Sequence, residues 1–166
     1  RVRSSAASDV YKRQTMNRIG LGKLTYLGIA LKQLITARKV SCTLTLEDKV
    51  HDKKESVELP RFLFVTCMSH RYEGGGFMFC PPAVDHDGVL DLCSVGNISK
   101  GLVLLALPTA FFGKHYFVKG INAHTATQMS ITASAPLWVH TDGEVTRKSR
   151  GFRVECLPGA IRMITP

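Results

Sequence analysis

The sequence predicts a mainly β (α+β) fold, an antiparallel β-sandwich-like domain with two helical segments. Three observations support this prediction. Several short segments alternate apolar and polar residues, as strands with one solvated face do. Turns that contain glycine or proline separate these segments. Strand and helix patterns do not alternate along the chain and no internal repeat is present, so a doubly wound parallel sheet is not expected.

The first predicted element is an amphipathic helix over residues 21–39, whose leucines recur at helical spacing. Its apolar stripe favours packing on a core over lying in a membrane surface. At Val40 the period changes to the alternation of a strand, which continues to Leu46. The charged stretch 47–58 is expected to form an exposed hairpin or loop. Residues 61–68 are apolar in their middle and predict a central strand buried on both faces.

The second half of the chain begins with a glycine triplet at 74–76, which interrupts the strand pattern. Ser99 is a candidate cap for a helix that Pro108 kinks or divides and that ends near Gly113. Further strands are predicted at residues 77–80, 90–95, 129–133, 137–141, 152–156 and 161–164.

The composition of the 166 residues, 45% apolar and 21% charged, suits one globular domain. The longest strongly apolar run, residues 102–107, is far shorter than the ~20 residues of a membrane span. The five cysteines are widely spaced and form no Cys-x-x-Cys pair, which favours a reducing cytoplasm over a disulfide framework or a zinc site.

Residues 1–14 contain no apolar run that could act in a signal peptide. The part 9–14 resembles a translated adapter from DNA library preparation. We therefore predict that residues 1–14 are a sequencing or cloning scar and that 15–166 form the domain. Without the scar, 18 basic and 12 acidic residues remain, and the net charge falls from +9 to +6. This excess favours anionic partners such as a lipid head group, a membrane surface or a nucleotide phosphate.

Two acidic segments are candidate sites. Asp142 and Glu144 flank a glycine between two predicted strands, a pattern typical of a tight hairpin turn. The same two carboxylates at a strand end could serve as a proton acceptor and its supporting acid. Asp85 opens a segment like a calcium loop, but Gly96 stands where the chelating Glu is required, so an EF-hand is excluded. A smaller site for a hard cation such as Mg²⁺ remains open at Asp87, beside a simple Asp-Gly turn.

Other site classes have little support. The glycine triplet matches no nucleotide-binding pattern, and the histidines lack zincin spacing. The basic residues do not combine with a nucleic-acid-binding motif, so no nucleic-acid partner is expected.

Five motifs in this order resemble the C-terminal domain of bacterial diacylglycerol kinase-like lipid kinases, relatives of sphingosine kinases and more distantly of NAD kinases. The resemblance extends from about Gly20 to Pro166. The motifs are Arg71-Tyr72-Glu73-Gly74-Gly75-Gly76, Asp87-Gly88-Val89-Leu90-Asp91, Gly113-Lys114-His115, Pro136-Leu137 leading to Asp142-Gly143-Glu144, and Leu157-Pro158-Gly159-Ala160.

The resemblance implies a kinase that transfers the γ-phosphoryl group of ATP, with Mg²⁺, to a lipid hydroxyl in phospholipid metabolism. Glu144 matches the proton acceptor of the family and Asp142 its supporting acid. A structural Mg²⁺ site is implied at the carbonyls of Val84 and Val89 and the carboxylate of Asp87. The expected location is cytoplasmic and peripheral to the membrane, where the enzyme meets its lipid substrate, and a homodimer is an open expectation.

The chain departs from the family at Ser69-His70, where an Asn-Gly pair is usual. It also lacks the Gly-Gly-Asp-Gly-Thr loop of the ATP-binding α/β domain. We therefore expect a C-terminal fragment that is inactive by itself. The alternatives are a non-enzymatic β-sandwich module that binds anionic lipid surfaces and, with a weaker match, an NAD kinase fragment.

Overall fold

A computed structural model of the chain describes residues 35–73, 76–141 and 144–160. Their strands are β1 (Val40–Asp48), β2 (Lys53–Met68), β3 (Leu90–Gly96), β4 (Ile121–Ala126), β5 (Gln128–Thr141) and β6 (Glu144–Glu155). They form one sheet in the order β4-β3-β2-β1-β5-β6, and every neighbouring pair is antiparallel. The predicted mainly β, antiparallel fold is confirmed.

The helical connection between β3 and β4 also matches its prediction. Ser99 caps the helix α1 (Lys100–Ala106), its Oγ accepting a hydrogen bond from the Leu102 N–H at 3.2 Å. A 3-10 helix follows over Leu107–Phe112, with Pro108 in its first turn, and Gly113 ends it in the left-handed region at φ 65°. A second 3-10 turn covers His115–Phe117.

Two predicted elements lie largely outside the described residues. Of the helix expected at 21–39 only residues 35–39 are described, and the last predicted strand, 161–164, is not covered. Among the described residues no helix has both the length and the apolar character required to cross a membrane.

The strands differ from the prediction in three places. Residues 77–80 form no strand, because their backbone turns to the helical connection: the Met78 N–H donates to the Ala110 carbonyl at 2.9 Å. Residues 137–141 continue β5 beyond an irregularity after Thr132 instead of starting a new strand. The strand β4 was missed, because only its two end residues are buried and its apolar–polar alternation is short and breaks at Thr125.

Strand β2 belongs to both halves of the sheet. Its first half pairs with β1 and its second half, from Phe62 onward, pairs with β3. Register shifts lie on both sides of this change, between Val40 and Cys42 and between Phe62 and Phe64. Such bulges bend a strand and increase its twist. The layer of β3 and β4 can therefore fold over the layer of β1, β5 and β6.

Thr127 shows that the sheet does fold over in this way. It is the single residue between Ala126, which ends β4, and Gln128, which begins β5. In a flat sheet four inter-strand spacings would separate these strands by ~19 Å. One residue spans two Cα steps, only about 7.6 Å. The sheet is therefore closed upon itself, which gives the sandwich-like form that the sequence predicts.

Hydrogen bonds hold Thr127 against β1. Its N–H and its hydroxyl both donate to the Glu47 carbonyl, at 3.0 and 2.9 Å, and the hydroxyl accepts from the Lys49 N–H at 3.0 Å. Its own carbonyl accepts from the Cys156 N–H at 2.9 Å. One buried residue thus connects β1, the β4–β5 junction and the end of β6.

The hydrophobic core lies between the two layers. Both contribute to one cluster of buried side chains, with Leu44 and Ile131 from one layer and Leu92 from the other almost fully covered. The remaining members are Cys42, Leu46, Leu59, Phe62, Leu90, Ala126, Met129 and Ala133.

We expect Thr127→Val to lower the free energy of unfolding by about 1–3 kcal/mol, because it removes a buried hydroxyl and deprives the Lys49 N–H of its acceptor. Urea unfolding at neutral pH measures the change. Thr132→Val, an exposed threonine of β5, is the matched control and should change stability by less than about 0.5 kcal/mol. Equal losses in the two variants would contradict the role given to Thr127.

Candidate functional site

The predicted acidic pair lies where β5 passes into β6. Thr141 pairs with Glu144, so a two-residue connection joins the strands. Asp142 lies outside the described residues, and only the backbone of Glu144 is described. The register of the two strands shifts between Val139 and His140, immediately before the turn. Such an irregularity changes the direction in which the following side chains point.

Glu73, which precedes the glycine triplet, lies within electrostatic range of His140 near the end of β5. The Glu73 N–H donates to the Phe77 carbonyl at 2.8 Å, and the Glu73 carbonyl accepts from the Gly76 N–H at 3.2 Å. Desolvation raises the pKa of the Glu73 carboxyl, while His140 and His70 act in the opposite direction. The structure therefore brings Glu73 near the end of β5 at His140.

The helical connection between β3 and β4 contacts the residues that follow the glycine triplet. The rings of Phe77 and Phe111 stack with centroids 4.2 Å apart. Gly113 lies so close to the loop that a Cβ there would be 2.7 Å from the Pro81 side chain and 2.9 Å from that of Met78. A residue with a side chain is thus excluded by contact as well as by the positive φ.

The carbonyl of Phe79 accepts hydrogen bonds from both His115 and Tyr116. The phenol of Tyr116 donates to it at 2.6 Å and the His115 Nε2–H at 3.1 Å. Burial lowers the pKa of His115, so the imidazole is neutral at pH 7, which suits its role as a donor to a backbone carbonyl. The Gly113-Lys114-His115 motif therefore supports the residues that follow the glycine triplet.

The loop before β3 carries the predicted cation ligands. Asp87 is exposed, and its Oδ1 accepts from the Val89 N–H at 3.1 Å, while Gly88 takes a φ of 78°. Val84 and Val89 are half-buried in the same loop. The loop offers carboxylate and carbonyl oxygens, the hard ligands that Mg²⁺ prefers. No group of three or more His, Cys, Asp or Glu side chains arranged for a metal occurs in the described ranges, so a site here depends on the backbone carbonyls.

Asp91 places a second carboxyl beside this loop. It is only 4% exposed, at the start of a strand that is buried throughout. Desolvation raises the pKa of Asp91, and the negative charge of Asp87 raises it further. The two carboxyls therefore repel each other, and a cation between or beside them would relieve the repulsion.

The motifs that are distant in sequence meet around this loop. Gly88 packs against Pro158, whose Cγ would be 3.3 Å from a Cβ on the glycine. The Arg71 side chain donates to the Ala83 carbonyl at 3.3 Å, next to the candidate ligand Val84. The second and fifth motifs thus come into contact, the first motif bonds to the loop before β3 at Ala83, and the third packs against residues that follow the first.

A small pocket adjoins the site. It has a volume of about 140 Å³, and its lining includes Asp91, Cys80, Tyr116 and His124. Ligand sites for molecules of nucleotide size usually enclose about 300–1,000 Å³. The pocket is therefore too small to hold ATP or a lipid by itself.

Sequence reasoning gave no individual role to Glu73 or Asp91. Asp91 had a usable signal, because an acidic residue inside the apolar segment 90–95 requires either a partner or a function. The sequence carried no such signal for Glu73, since its proximity to His140 arises only in the folded chain.

The chain is similar to known proteins over most of its length. Residues 2–165 match the family described as the YegS C-terminal NAD kinase beta sandwich-like domain. A "Probable lipid kinase YegS-like" of Xanthomonas campestris pv. campestris is 30% identical over 148 residues, which cover 88% of this chain and 45% of that protein. A protein of the same name from Xanthomonas euvesicatoria pv. vesicatoria is 35% identical over 98 residues, 58% of this chain and 31% of that protein.

The matched region is less than half of each of these curated relatives. Among solved structures, a putative diacylglycerol kinase from Bacillus anthracis str. Sterne superimposes with a TM-score of 0.57 at 20% identity. The match covers 96% of this chain and 48% of that one. This likeness concerns the fold.

The raised pKa of Asp91 makes stability depend on pH. A carboxyl whose pKa is higher in the folded than in the unfolded state stabilises the fold at low pH, and this contribution is lost as pH rises through the folded pKa. We therefore expect Asp91→Asn to gain stability relative to the unaltered chain as pH rises from 4 to 7. Urea unfolding in EDTA at several pH values measures it. The exposed Asp52→Asn is the control, and an equal trend there would contradict the assignment.

Proposed function

The chain belongs to the family of YegS C-terminal NAD kinase beta sandwich-like domains, and from this premise we propose that it is the C-terminal part of an ATP-dependent lipid kinase. The acceptor is a diacylglycerol-like lipid hydroxyl. The observation that carries the proposal is the family match over residues 2–165, together with relatives named as lipid kinases.

In the proposed reaction Glu144 accepts the proton of the lipid hydroxyl. The hydroxyl oxygen forms a bond to the γ-phosphorus of ATP, the bond from that phosphorus to the β–γ bridging oxygen breaks, and ADP leaves. Asp142 supports Glu144 through its charge. Since phosphoryl transfer depends on positioning and charge neutralisation, the exposed Arg147 and Lys148 on β6 suit a place beside phosphate groups.

The loop before β3 would hold Mg²⁺ through the Asp87 carboxylate and the carbonyls of Val84 and Val89. Bound there, the ion would neutralise the charge of Asp87 and Asp91 and thereby stabilise the loop against Pro158. This role is structural and separate from the Mg²⁺ that accompanies ATP.

A non-enzymatic module that binds anionic lipid surfaces is the second candidate. The exposed apolar and basic residues between β3 and β4 favour lipid contact under either function. Turnover separates the two candidates, since only the kinase transfers phosphate. Offering NAD beside diacylglycerol as the acceptor tests the NAD kinase alternative in the same assay.

We expect Glu144→Gln to lower kcat by about 10²–10⁴ in the full-length protein encoded by the source DNA, because the general base is lost. Asp142→Asn should lower it less. Transfer of labelled γ-phosphate to diacylglycerol in mixed micelles measures the rate. Glu55→Gln, an exposed carboxylate on β2, is the matched control and should leave the rate within twofold. Undiminished turnover of Glu144→Gln would refute the assigned base, and the 166-residue chain alone should show no turnover.

We expect millimolar Mg²⁺ to raise the melting temperature of the chain above its value in EDTA. If the ion is present at 10 to 100 times its dissociation constant, binding adds about 1.4–2.7 kcal/mol. Asp87→Asn should abolish this increase. Asp52→Asn removes an equal charge from an exposed turn in which φ is 47°, a conformation that Asn tolerates, and should preserve it. Loss of the increase in both variants, or its absence from the unaltered chain, would contradict the site.

A further inference from the structure

The connection between β3 and β4, residues 97–120, is a closed unit that we term the β3–β4 segment. The Gly96 N–H donates to the Gly120 carbonyl at 2.9 Å, so the two ends of the segment meet. Gly120 has a φ of 100°, and a Cβ there would be 2.6 Å from the Gly96 carbonyl oxygen. The segment therefore leaves the sheet and rejoins it at neighbouring positions.

One face of the segment is packed and the other carries large apolar side chains into solvent. Val103, Ala106 and Ala110, at helical spacing, are buried. Leu105 and Phe112 are each 74% exposed, and Phe117 in the following turn is 88% exposed. Leu102 and Phe111 are partly exposed as well, so the segment holds five of the ten exposed large hydrophobic residues in the described ranges. Soluble proteins usually reserve such concentrations of apolar surface for a binding partner.

The charge of this region is entirely positive. The sequence contains no acidic residue between Asp91 and Asp142. The segment itself carries Lys100, Lys114 and Lys119.

Two further basic residues lie at the base of the segment. The Lys39 ammonium donates to the Ile98 carbonyl, and the Arg61 carbonyl accepts from the Asn97 N–H at 3.1 Å. Desolvation, followed by the charges of Arg61 and Lys100, lowers the pKa of Lys39, so these positive groups are crowded together.

We propose that the β3–β4 segment is a membrane-docking surface, in which Leu105, Phe112 and Phe117 enter the interface of an anionic bilayer while Lys114 and Lys119 contact lipid phosphates. Exposed Phe and Leu beside lysines are typical of surfaces that lie in a membrane interface. Protein interfaces are instead depleted in lysine. Charge complementarity thus favours a bilayer over a protein partner. The inference goes beyond the proposed kinase reaction, since docking requires neither ATP nor turnover.

Flotation of the 166-residue chain with vesicles tests the proposal. The probes are vesicles of phosphatidylcholine with 30% phosphatidylglycerol, and of phosphatidylcholine alone. The chain should partition onto the anionic vesicles. Phe112→Ser combined with Phe117→Ser should lower the partition coefficient about tenfold or more, because the apolar area that enters the interface is lost. Lys114→Gln combined with Lys119→Gln should lower it by about thirtyfold on anionic vesicles and hardly at all on neutral ones.

Matched controls separate this surface from general effects. Val50→Ser removes an equally exposed apolar residue from the β1–β2 turn, and Lys53→Gln with Arg150→Gln removes two exposed charges elsewhere. Circular dichroism verifies that each variant is folded. Controls that lose as much binding as the segment variants would overturn the proposal. So would a folded chain that binds neither vesicle, or a dimer that the phenylalanine variant converts to monomer. Failure of the kinase proposal would appear as absent turnover and would leave these vesicle results unchanged.

Discussion

The closure of the sheet at Thr127 is the constraint on which the rest of the structure depends. One residue must carry the chain from the layer of β3 and β4 to the layer of β1, β5 and β6, so the two layers have to lie face to face. The bend of β2 makes this possible, and the hydrogen bonds of Thr127 to Glu47, Lys49 and Cys156 hold it. Without this closure the apolar faces of Leu44, Leu92 and Ile131 would not share one core.

The closed sheet leaves the loops to build the candidate site. The described residues between β2 and β3 and those after β6 have little regular structure, and contacts such as that of Gly88 with Pro158 hold them together. Gly88 against Pro158 and Gly113 against Pro81 are such contacts, in which the absence of a side chain lets a proline ring approach the glycine backbone. The motifs that resemble lipid kinases are thus largely positions of close approach around a few carboxyl groups.

Charge is distributed unevenly around this site. The carboxyls of Asp87 and Asp91 are close enough to disturb one another, whereas the β3–β4 segment carries only positive charge beside its exposed aromatic rings. Under the proposed function both features have a use, because a lipid phosphotransferase must bind phosphate charge and approach an anionic surface. Because the two features lie on different loops, a substitution can change one of them without changing the other.

The sequence by itself determined the fold class, most strands and the capped helix, because alternation, helix caps and turn residues act over a few neighbouring positions. It also indicated candidate sites at Asp142 and Glu144 and at Asp87, since those are local motifs. Only the tertiary structure decided that β5 runs through residues 137–141 and that β4 exists, because these residues are strands through their pairing with β6 and β3. The fold likewise decided the contact of Gly88 with Pro158, the electrostatic interaction of Glu73 with His140 and the raised pKa of Asp91. These properties arise between residues far apart in sequence, where no local pattern reports them.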